Sequence, residues 1–186
     1  MTKLWILSAL SAAALSLGAC DNRSAKTVAD DSSATVTAEQ AQLSAEQAQN
    51  LETFDDLDFR VYSGQLWDEF SKSHAEDIVV HYPDGTTTTG LDDHLEMLKP
   101  QFAFAPDTHI KEHPIKLADG EYTAVQGFLE GTFSEPMNLG DGKFLEPTGK
   151  SFRLPMLTVG RWKNGVMVEE WLYWDNAAFM AQITAE

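Results

Sequence analysis

Cysteine is almost absent from this sequence, since Cys20 is the single one among 186 residues. An internal disulfide is therefore impossible, whatever the redox state of the compartment. Basic residues are also scarce, with 13 Lys and Arg against 29 Asp and Glu, and the formal net charge is −16. A chain with this charge repels a phosphate backbone, so nucleic acid is excluded as a partner.

No apolar run is long enough to cross a bilayer. The run at residues 4–17 follows Lys3 and has about 14 residues, whereas a spanning helix needs about 20. A short apolar run between a basic residue and small residues is typical of a secretory signal peptide. It ends in LGAC at residues 17–20, which resembles the lipobox of bacterial lipoproteins. This resemblance implies cleavage before Cys20 and acylation of its thiol; the alternative is an ordinary secreted protein with an incidental cysteine.

A lipid anchor on Cys20 would tether the mature protein to a membrane outside the cytoplasm. Two or more acyl chains hold a protein stably on a bilayer, whereas one chain gives only marginal binding. Asp21 follows the cysteine, and an acid there resembles the inner-membrane retention signal of enteric Gram-negative lipoproteins. In such a bacterium, we expect the protein on the periplasmic face of the inner membrane.

Domain organisation follows from changes in composition along the chain. We assign residues 1–19 to the signal peptide and residues 20–50 to a tether whose first part is small and polar, with little to bury. The second part repeats AEQAQ and has a possible capping box at Ser44 and Gln47, which predicts a loosely attached helix. One compact domain is expected over residues 51–186.

Three helices are predicted at the start of the domain, where apolar side chains recur at helical intervals. Their apolar faces comprise Leu51, Phe54, Leu57 and Val61, then Leu66, Trp67, Phe70 and His74, and finally Leu91, Leu95, Leu98 and Phe102. Pro100 is expected to kink or end the third helix. A short strand at residues 78–82 precedes the third helix and leads into a Pro-Asp-Gly turn at 83–85.

The rest of the domain reads as strands. β-rich stretches cover residues 108–117, 122–133, 152–162 and 166–174, with turn signals between them. Asn164-Gly165 is the strongest of these signals, because both residues tolerate the left-handed conformation of a type I′ hairpin turn. Helices followed by antiparallel strands predict an α+β fold with the helices on one face of the sheet.

Several short motifs follow one another in a fixed order over residues 51–183. They are HYPDG at 81–85 followed by Gly90, APD at 105–107, GT at 131–132, PTGK at 147–150, GRW at 160–162, and Glu170-Trp171 followed by Asp175. In this order they resemble the SnoaL-like polyketide cyclase, or ester cyclase, group of the nuclear-transport-factor-2-like superfamily. The resemblance implies a cone-shaped fold in which a curved antiparallel sheet wraps around helices and encloses an apolar pocket, often paired as a homodimer through the sheet.

The resemblance also indicates where the characterised cyclases carry their acid/base groups. It places an acid directly after the tryptophan of the last strand and a titratable side chain one strand earlier, positions that are Leu172 and Thr158 here. Neither exchanges a proton near neutral pH. If Leu172 faces the interior, strand alternation turns Glu170 and Trp174 the same way, and Glu170 becomes the substitute base. The alternative is a solvated acidic pair of Glu169 and Glu170 at a strand end, because glutamates are seldom buried unpaired.

His81 and Asp175 are the other candidates for proton transfer. His81 lies in the strand beside the predicted pocket mouth, and an imidazole titrates at about pH 6.5; a hydrogen-bonded packing role is the alternative. Asp175 precedes a predicted helix, where an aspartate is a good N-cap. Capping lowers the pKa of a carboxyl, which is the wrong direction for a base.

The pocket is expected to be lined by aromatic and apolar side chains, which could equally form a core. The candidate ligand contacts are Trp67, Phe102, Thr158, Leu172 and Trp174.

We predict no metal and no cofactor. His109 and His113 are four apart, but they lie in a strand-like segment and lack the helical geometry that favours zinc ligation. No cysteine supports them, and His74 and His94 look less central than His81.

Two functions from different classes fit these observations. The first is a cofactor-independent cyclase or isomerase that acts on a small, mostly apolar carbonyl compound by proton transfer through His81 or Glu170. The second is a non-catalytic lipoprotein that holds a small hydrophobic ligand or a partner. An open apolar cavity with an inward-facing Glu or His is what the enzyme requires.

Overall fold

The structure of the protein is a computed structural model that describes residues 43–184. The predicted signal peptide, the lipidation site at Cys20 and the tether up to residue 42 lie outside this range. Within it, no helix combines the length and the apolar character that a membrane crossing requires.

The first predicted helix is confirmed. α1 (Ala45–Asp56) continues into a π-helical turn (Leu57–Tyr62). Ser44 and Gln47 form the predicted capping box, in which the Gln47 backbone N–H donates to Ser44 Oγ at 3.1 Å. α1 spans residue 51, the predicted start of the compact domain. The apolar face is buried as expected, at Leu51, Phe54, Leu57 and Val61.

The other two predicted helices are present with different ends. The second is a 3₁₀-helix (Trp67–Lys72), so His74 does not belong to it and begins a strand instead. The third is α2 (Leu91–Phe104), which contains Pro100 and continues beyond it, so of the two expected effects of Pro100, a kink or an end, the end is wrong. Phe102 and Phe104 are buried past the proline, and this packing holds the last turn despite the lost backbone hydrogen bond.

Within residues 43–184, eight strands follow the helices or lie between them. They are β1 (His74–His81), β2 (Thr87–Thr89), β3 (Ile115–Asp119), β4 (Tyr122–Thr132), β5 (Met137–Gly140), β6 (Lys143–Leu145), β7 (Ser151–Lys163) and β8 (Val166–Trp174). Six of them form one sheet in the order β2-β1-β8-β7-β4-β3, and β5 pairs with β6 in a separate hairpin. The α+β class with a curved, mostly antiparallel sheet is confirmed.

Three features of the strands differ from the prediction. β1 pairs in parallel with β8, whereas all other neighbours are antiparallel. The stretch 108–117 forms β3 only from Ile115, and His109 makes an isolated bridge with Glu130. The turn predicted at residues 138–142 is flanked by the short strands β5 and β6. A parallel pair joins segments far apart in the chain, so local periodicity does not report it.

The two strongest local turn and cap signals are confirmed. Asn164 and Gly165 have φ angles of +54° and +81° and connect β7 to β8. Asp175 precedes α3 (Asn176–Thr184), and its Oδ1 accepts hydrogen bonds from the backbone N–H groups of Ala177 and Ala178 at 2.8 and 3.0 Å. Asp175 is therefore an N-cap.

Candidate functional site

An apolar cavity of about 250 Å³ lies among α2, the π-helical turn and the strands β4, β7 and β8. Most of its wall consists of Leu, Ile, Met and Phe side chains. The three predicted contacts Thr158, Leu172 and Trp174 line it, and Thr158 and Leu172 are direct partners across β7 and β8. The apolar pocket predicted from the sequence is thus present, with those three residues in its wall.

A cluster of three buried polar side chains, His74, His94 and Glu170, faces this cavity. His94 Nε2 lies 3.6 Å from Glu170 Oε2, and His74 Nε2 lies 3.9 Å from the same oxygen. The side chains are 3%, 1% and 5% exposed for His94, His74 and Glu170. The cluster joins the first residue of β1, the first turn of α2 and the middle of β8, so only the tertiary fold brings it together.

Strand alternation explains why Glu170 is buried and its neighbour Glu169 is not. Glu170 faces the cavity with Leu172 and Trp174, as the pleat requires. Glu169 points to the opposite face, where it binds Arg161 at 2.9 Å and His81 at 3.0 Å. The interpretation of Glu169 and Glu170 as a solvated acidic pair is therefore wrong for Glu170.

Two hydroxyl groups hold the histidines of the cluster. Ser73 Oγ lies 2.8 Å from His74 Nδ1, and the Tyr82 hydroxyl lies 2.8 Å from His94 Nδ1. Because Nδ1 of each ring is engaged, Nε2 is the atom left to face Glu170. Within the described range, His74 Nε2 and Glu170 Oε2 are buried and have no hydrogen-bond partner. Buried polar atoms without partners are costly, and they point to a ligand that completes them.

Burial and neighbouring charges act in opposite directions on the pKa values of Glu170 and His94. Burial disfavours the ionised form of Glu170, but the nearby imidazoles of His74 and His94 outweigh burial and keep its pKa below the ordinary value of 4.5. Burial lowers the pKa of His94 to about 4, although the Glu170 carboxylate acts in the other direction. Near neutral pH, the cavity therefore presents an anionic Glu170 beside a neutral His94.

Asp58 is a second acid in the cavity wall. Its Oδ2 accepts a hydrogen bond from His113 Nε2 at 2.9 Å, and His113 Nδ1 donates to Asp55 Oδ1 at 2.8 Å. Burial raises the pKa of Asp58, and the hydrogen bond from His113 only partly opposes this. Tyr62 also lines the cavity, and burial raises the pKa of its hydroxyl, which stays a neutral donor.

The structure does not bring every predicted residue to the cavity. His81 stacks on Trp171 with ring centroids 5.2 Å apart and lies on the Glu169 side of the sheet, where it is a packing and ion-pair residue. Asp175 caps α3 and is not part of the wall. Trp67 and Phe102 pack against each other at 5.5 Å beside the cavity without lining it.

Three residues of the site were not identified from the sequence: His74, His94 and Asp58. A signal existed for each of them. His94 lies three residues after Leu91 and four before Leu98, and Asp58 lies four after Phe54, so both fall on apolar helix faces. His74 ends the apolar stripe that begins at Leu66. A polar side chain on an otherwise apolar face is the pattern that marks each one.

Comparison with known proteins identifies the family of this fold. A family model described as SnoaL-like polyketide cyclase matches residues 60–183. No curated protein sequence shows significant similarity to the chain.

Solved structures of similar proteins share the fold. A candidate SnoaL-like polyketide cyclase from Jannaschia sp. CCS1 superimposes with a TM-score of 0.68 at 21% identity, covering 78% of this chain and 98% of that one. IdmH from Streptomyces antibioticus, a candidate polyketide cyclase, gives 0.63 at 24% identity, covering 72% and 97%. A candidate polyketide cyclase from Xanthomonas campestris gives 0.65 at 13% identity, covering 75% and 100%. At these identities the likeness concerns the fold.

Proposed function

Because the chain belongs to the SnoaL-like polyketide cyclase family, we propose that it is a cyclase or isomerase that moves protons on a small, mostly apolar carbonyl compound. One observation carries this proposal: Glu170 is buried in an apolar cavity with an unpartnered carboxylate oxygen between two histidines. The two imidazoles lower the pKa of this carboxylate, which makes it a weaker base but keeps it ionised near neutral pH, where a substrate in the cavity can reach it and bulk water cannot easily solvate it.

The groups of the wall supply what proton transfer next to a carbonyl requires. Glu170 takes the proton from carbon, and an imidazole N–H of the cluster or the Tyr62 hydroxyl donates a hydrogen bond to the carbonyl oxygen as negative charge develops there. Asp58 is the acid on the same wall that can return a proton. The apolar remainder of the wall selects a substrate of low polarity, and a volume of about 250 Å³ suits one or two rings.

Hydrogen–deuterium exchange on simple ketones tests this function without knowledge of the natural substrate. The protein is expected to accelerate α-proton exchange of 1-indanone, 1-tetralone or cyclohexanone in D₂O, followed by proton NMR. Glu170→Gln removes the base while keeping the side-chain shape, so exchange should fall by at least about 100-fold. Glu169→Gln is the matched control, because Glu169 lies on the opposite face, and it should retain exchange, as should His81→Ala.

A second candidate function is supported by the wall itself. Thr158 and Leu172 occupy the positions where the family resemblance implies titratable groups, and they leave that part of the cavity without acid/base chemistry. The protein would then hold a small hydrophobic ligand without converting it. The binding function is favoured over the enzyme if the protein accelerates α-proton exchange of none of the three ketones and native mass spectrometry shows an unchanged ligand bound to it.

The membrane tether belongs to the same proposal. The short apolar run at 4–17 and the LGAC sequence at 17–20 support a mature protein that begins at acylated Cys20. Mass spectrometry of the N-terminal peptide should show acyl chains on Cys20. Cys20→Ala should move the protein from the membrane fraction to the soluble one. Equal membrane association of both forms would rule the anchor out.

A further inference from the structure

The His74–His94–Glu170 cluster lacks a positive charge. The cavity wall contains two carboxylates, Asp58 and Glu170, and among the described residues that line it there is no Lys or Arg. A buried carboxylate is normally accompanied by a cation or by several hydrogen-bond donors. Glu170 Oε2 has neither, and His74 Nε2 beside it is also without a partner.

The two histidines are held in the way that metal-binding imidazoles are held. In most metal sites the second ring nitrogen is hydrogen-bonded to a neighbouring group, which fixes the ring so that the first nitrogen meets the ion. Here Ser73 Oγ and the Tyr82 hydroxyl engage Nδ1 of His74 and His94, each at 2.8 Å. Both Nε2 atoms are thereby directed at the same carboxylate oxygen.

The spacing of the three atoms suits one ion. Zinc binds imidazole nitrogen and carboxylate oxygen at about 2.0–2.2 Å, so two of its ligand atoms lie about 3.4 Å apart in a tetrahedral site. The His94–Glu170 and His74–Glu170 separations of 3.6 and 3.9 Å are slightly longer than this distance. All three ligand atoms lie within 4.8 Å of one another, so small inward movements of the side chains complete the site.

We propose that His74 Nε2, His94 Nε2 and Glu170 Oε2 bind a divalent transition-metal ion whose open coordination positions face the apolar cavity. Two imidazoles and one carboxylate, without sulfur, suit Zn²⁺, Fe²⁺ or Co²⁺. The prediction of no metal rested on the spacing of His109 and His113 and on the lack of cysteine, and neither reason applies to this cluster.

The ion deepens the proposed function, because it rests on the same cavity and supplies an electrophile for the substrate oxygen. With the ion bound, Glu170 is a ligand. Asp58, whose Oδ2 accepts from His113, is then the other carboxylate of the wall, and it takes the role of base that Glu170 has in the chain without the ion.

Isothermal titration calorimetry and cobalt absorption spectroscopy test the ion. The full chain, untagged and freed of metal with a chelator, is titrated with ZnCl₂ and CoCl₂. One ion per chain should bind, with visible Co²⁺ bands typical of low coordination number. Glu170→Gln and His94→Gln should weaken binding at least about 100-fold, and Tyr82→Phe, which removes only the supporting hydroxyl, by about 10–100-fold.

Glu169→Gln is the control, and its affinity should equal that of the native protein. The proposal is overturned if the native chain binds no single ion, or if Glu170→Gln and Tyr82→Phe bind as tightly as the native chain. Tyr82→Phe keeps the test decisive if a ligand variant fails to fold.

The two proposals fail in different ways. If the chain binds no ion but still accelerates α-proton exchange of the ketones, the metal site is wrong and the proposed catalysis stands. If the chain binds one ion but accelerates α-proton exchange of none of the ketones, the proposed catalysis is wrong and the metal site stands.

Discussion

Replacement of Trp162 by alanine is expected to lower the free energy of unfolding by about 3–5 kcal/mol, because it removes one of the largest buried side chains of the core. Trp162 is 2% exposed. Its indole N–H donates to Thr123 Oγ1 at 2.9 Å, and its ring lies 6.4 Å from that of Phe54 in α1. The residue thus joins β7, β4 and α1, and chemical denaturation with urea measures the loss.

The residues around Trp162 are tightly packed, so they cannot easily move to fill the cavity that the alanine leaves. A Cβ on Gly160 would lie 2.6 Å from Met167 Sδ and 3.1 Å from Trp162 Nε1, so this side of the ring is tightly packed. Trp171→Ala is the matched control, because Trp171 is only partly buried and packs on His81 on the other face of the sheet. A loss in Trp171→Ala as large as that in Trp162→Ala would contradict this account of the core.

Local signals in the sequence predict the elements better than their pairing. The Asn164-Gly165 turn, the Ser44–Gln47 capping box and the Asp175 cap each depend on neighbouring residues alone, and each is present in the structure. The parallel pairing of β1 with β8 joins segments about 90 residues apart, and nothing in the pattern of either strand specifies it. Strand order is decided by packing, which a single stretch of sequence does not contain.

In the candidate site, too, local patterns predict which side chains share a face but not which residues of other elements they meet. Strand parity predicted that Glu170, Leu172 and Trp174 share a face, and the structure agrees. Burial of Glu170 could not be predicted from β8 alone, because it depends on His74 and His94, which come from β1 and α2. The general rule that unpaired glutamates are exposed is therefore misleading at the position on which the proposed function depends.

Replacement of His113 by alanine is expected to lower the free energy of unfolding by about 3 kcal/mol at pH ~6, because it leaves two carboxylates without the group between them. The His113 side chain is 1% exposed and lies 2.8 Å from Asp55 and 2.9 Å from Asp58. Lys116 binds the other oxygen of Asp55 at 2.6 Å and does not reach Asp58 in its place. Urea denaturation of both proteins across a range of pH measures the effect.

His109→Ala is the matched control for this loss. His109 also approaches a carboxylate, with Nε2 3.5 Å from Glu130 Oε2, but its side chain is 27% exposed. Exposed ion pairs contribute about 0–1 kcal/mol. A loss in His109→Ala equal to that in His113→Ala would show that burial between two acids is not the cause.

The dependence of this effect on pH follows from the folded-state pKa of His113. Burial alone would lower that pKa, but the hydrogen bonds and charges of Asp58 and Asp55 outweigh burial and raise it above the ordinary 6.5. A histidine with a raised folded-state pKa contributes stability that is fully present below the unfolded-state pKa of about 6.5 and is lost as pH rises through the folded-state value.

The difference in unfolding free energy between the native chain and His113→Ala should therefore shrink above neutral pH. It should also narrow in acid, where Asp58, whose pKa lies above 3.8, becomes protonated. A difference that stays constant from pH ~5 to ~9 would contradict the charged bridge and leave His113 as a packing residue between Phe54 and Phe59.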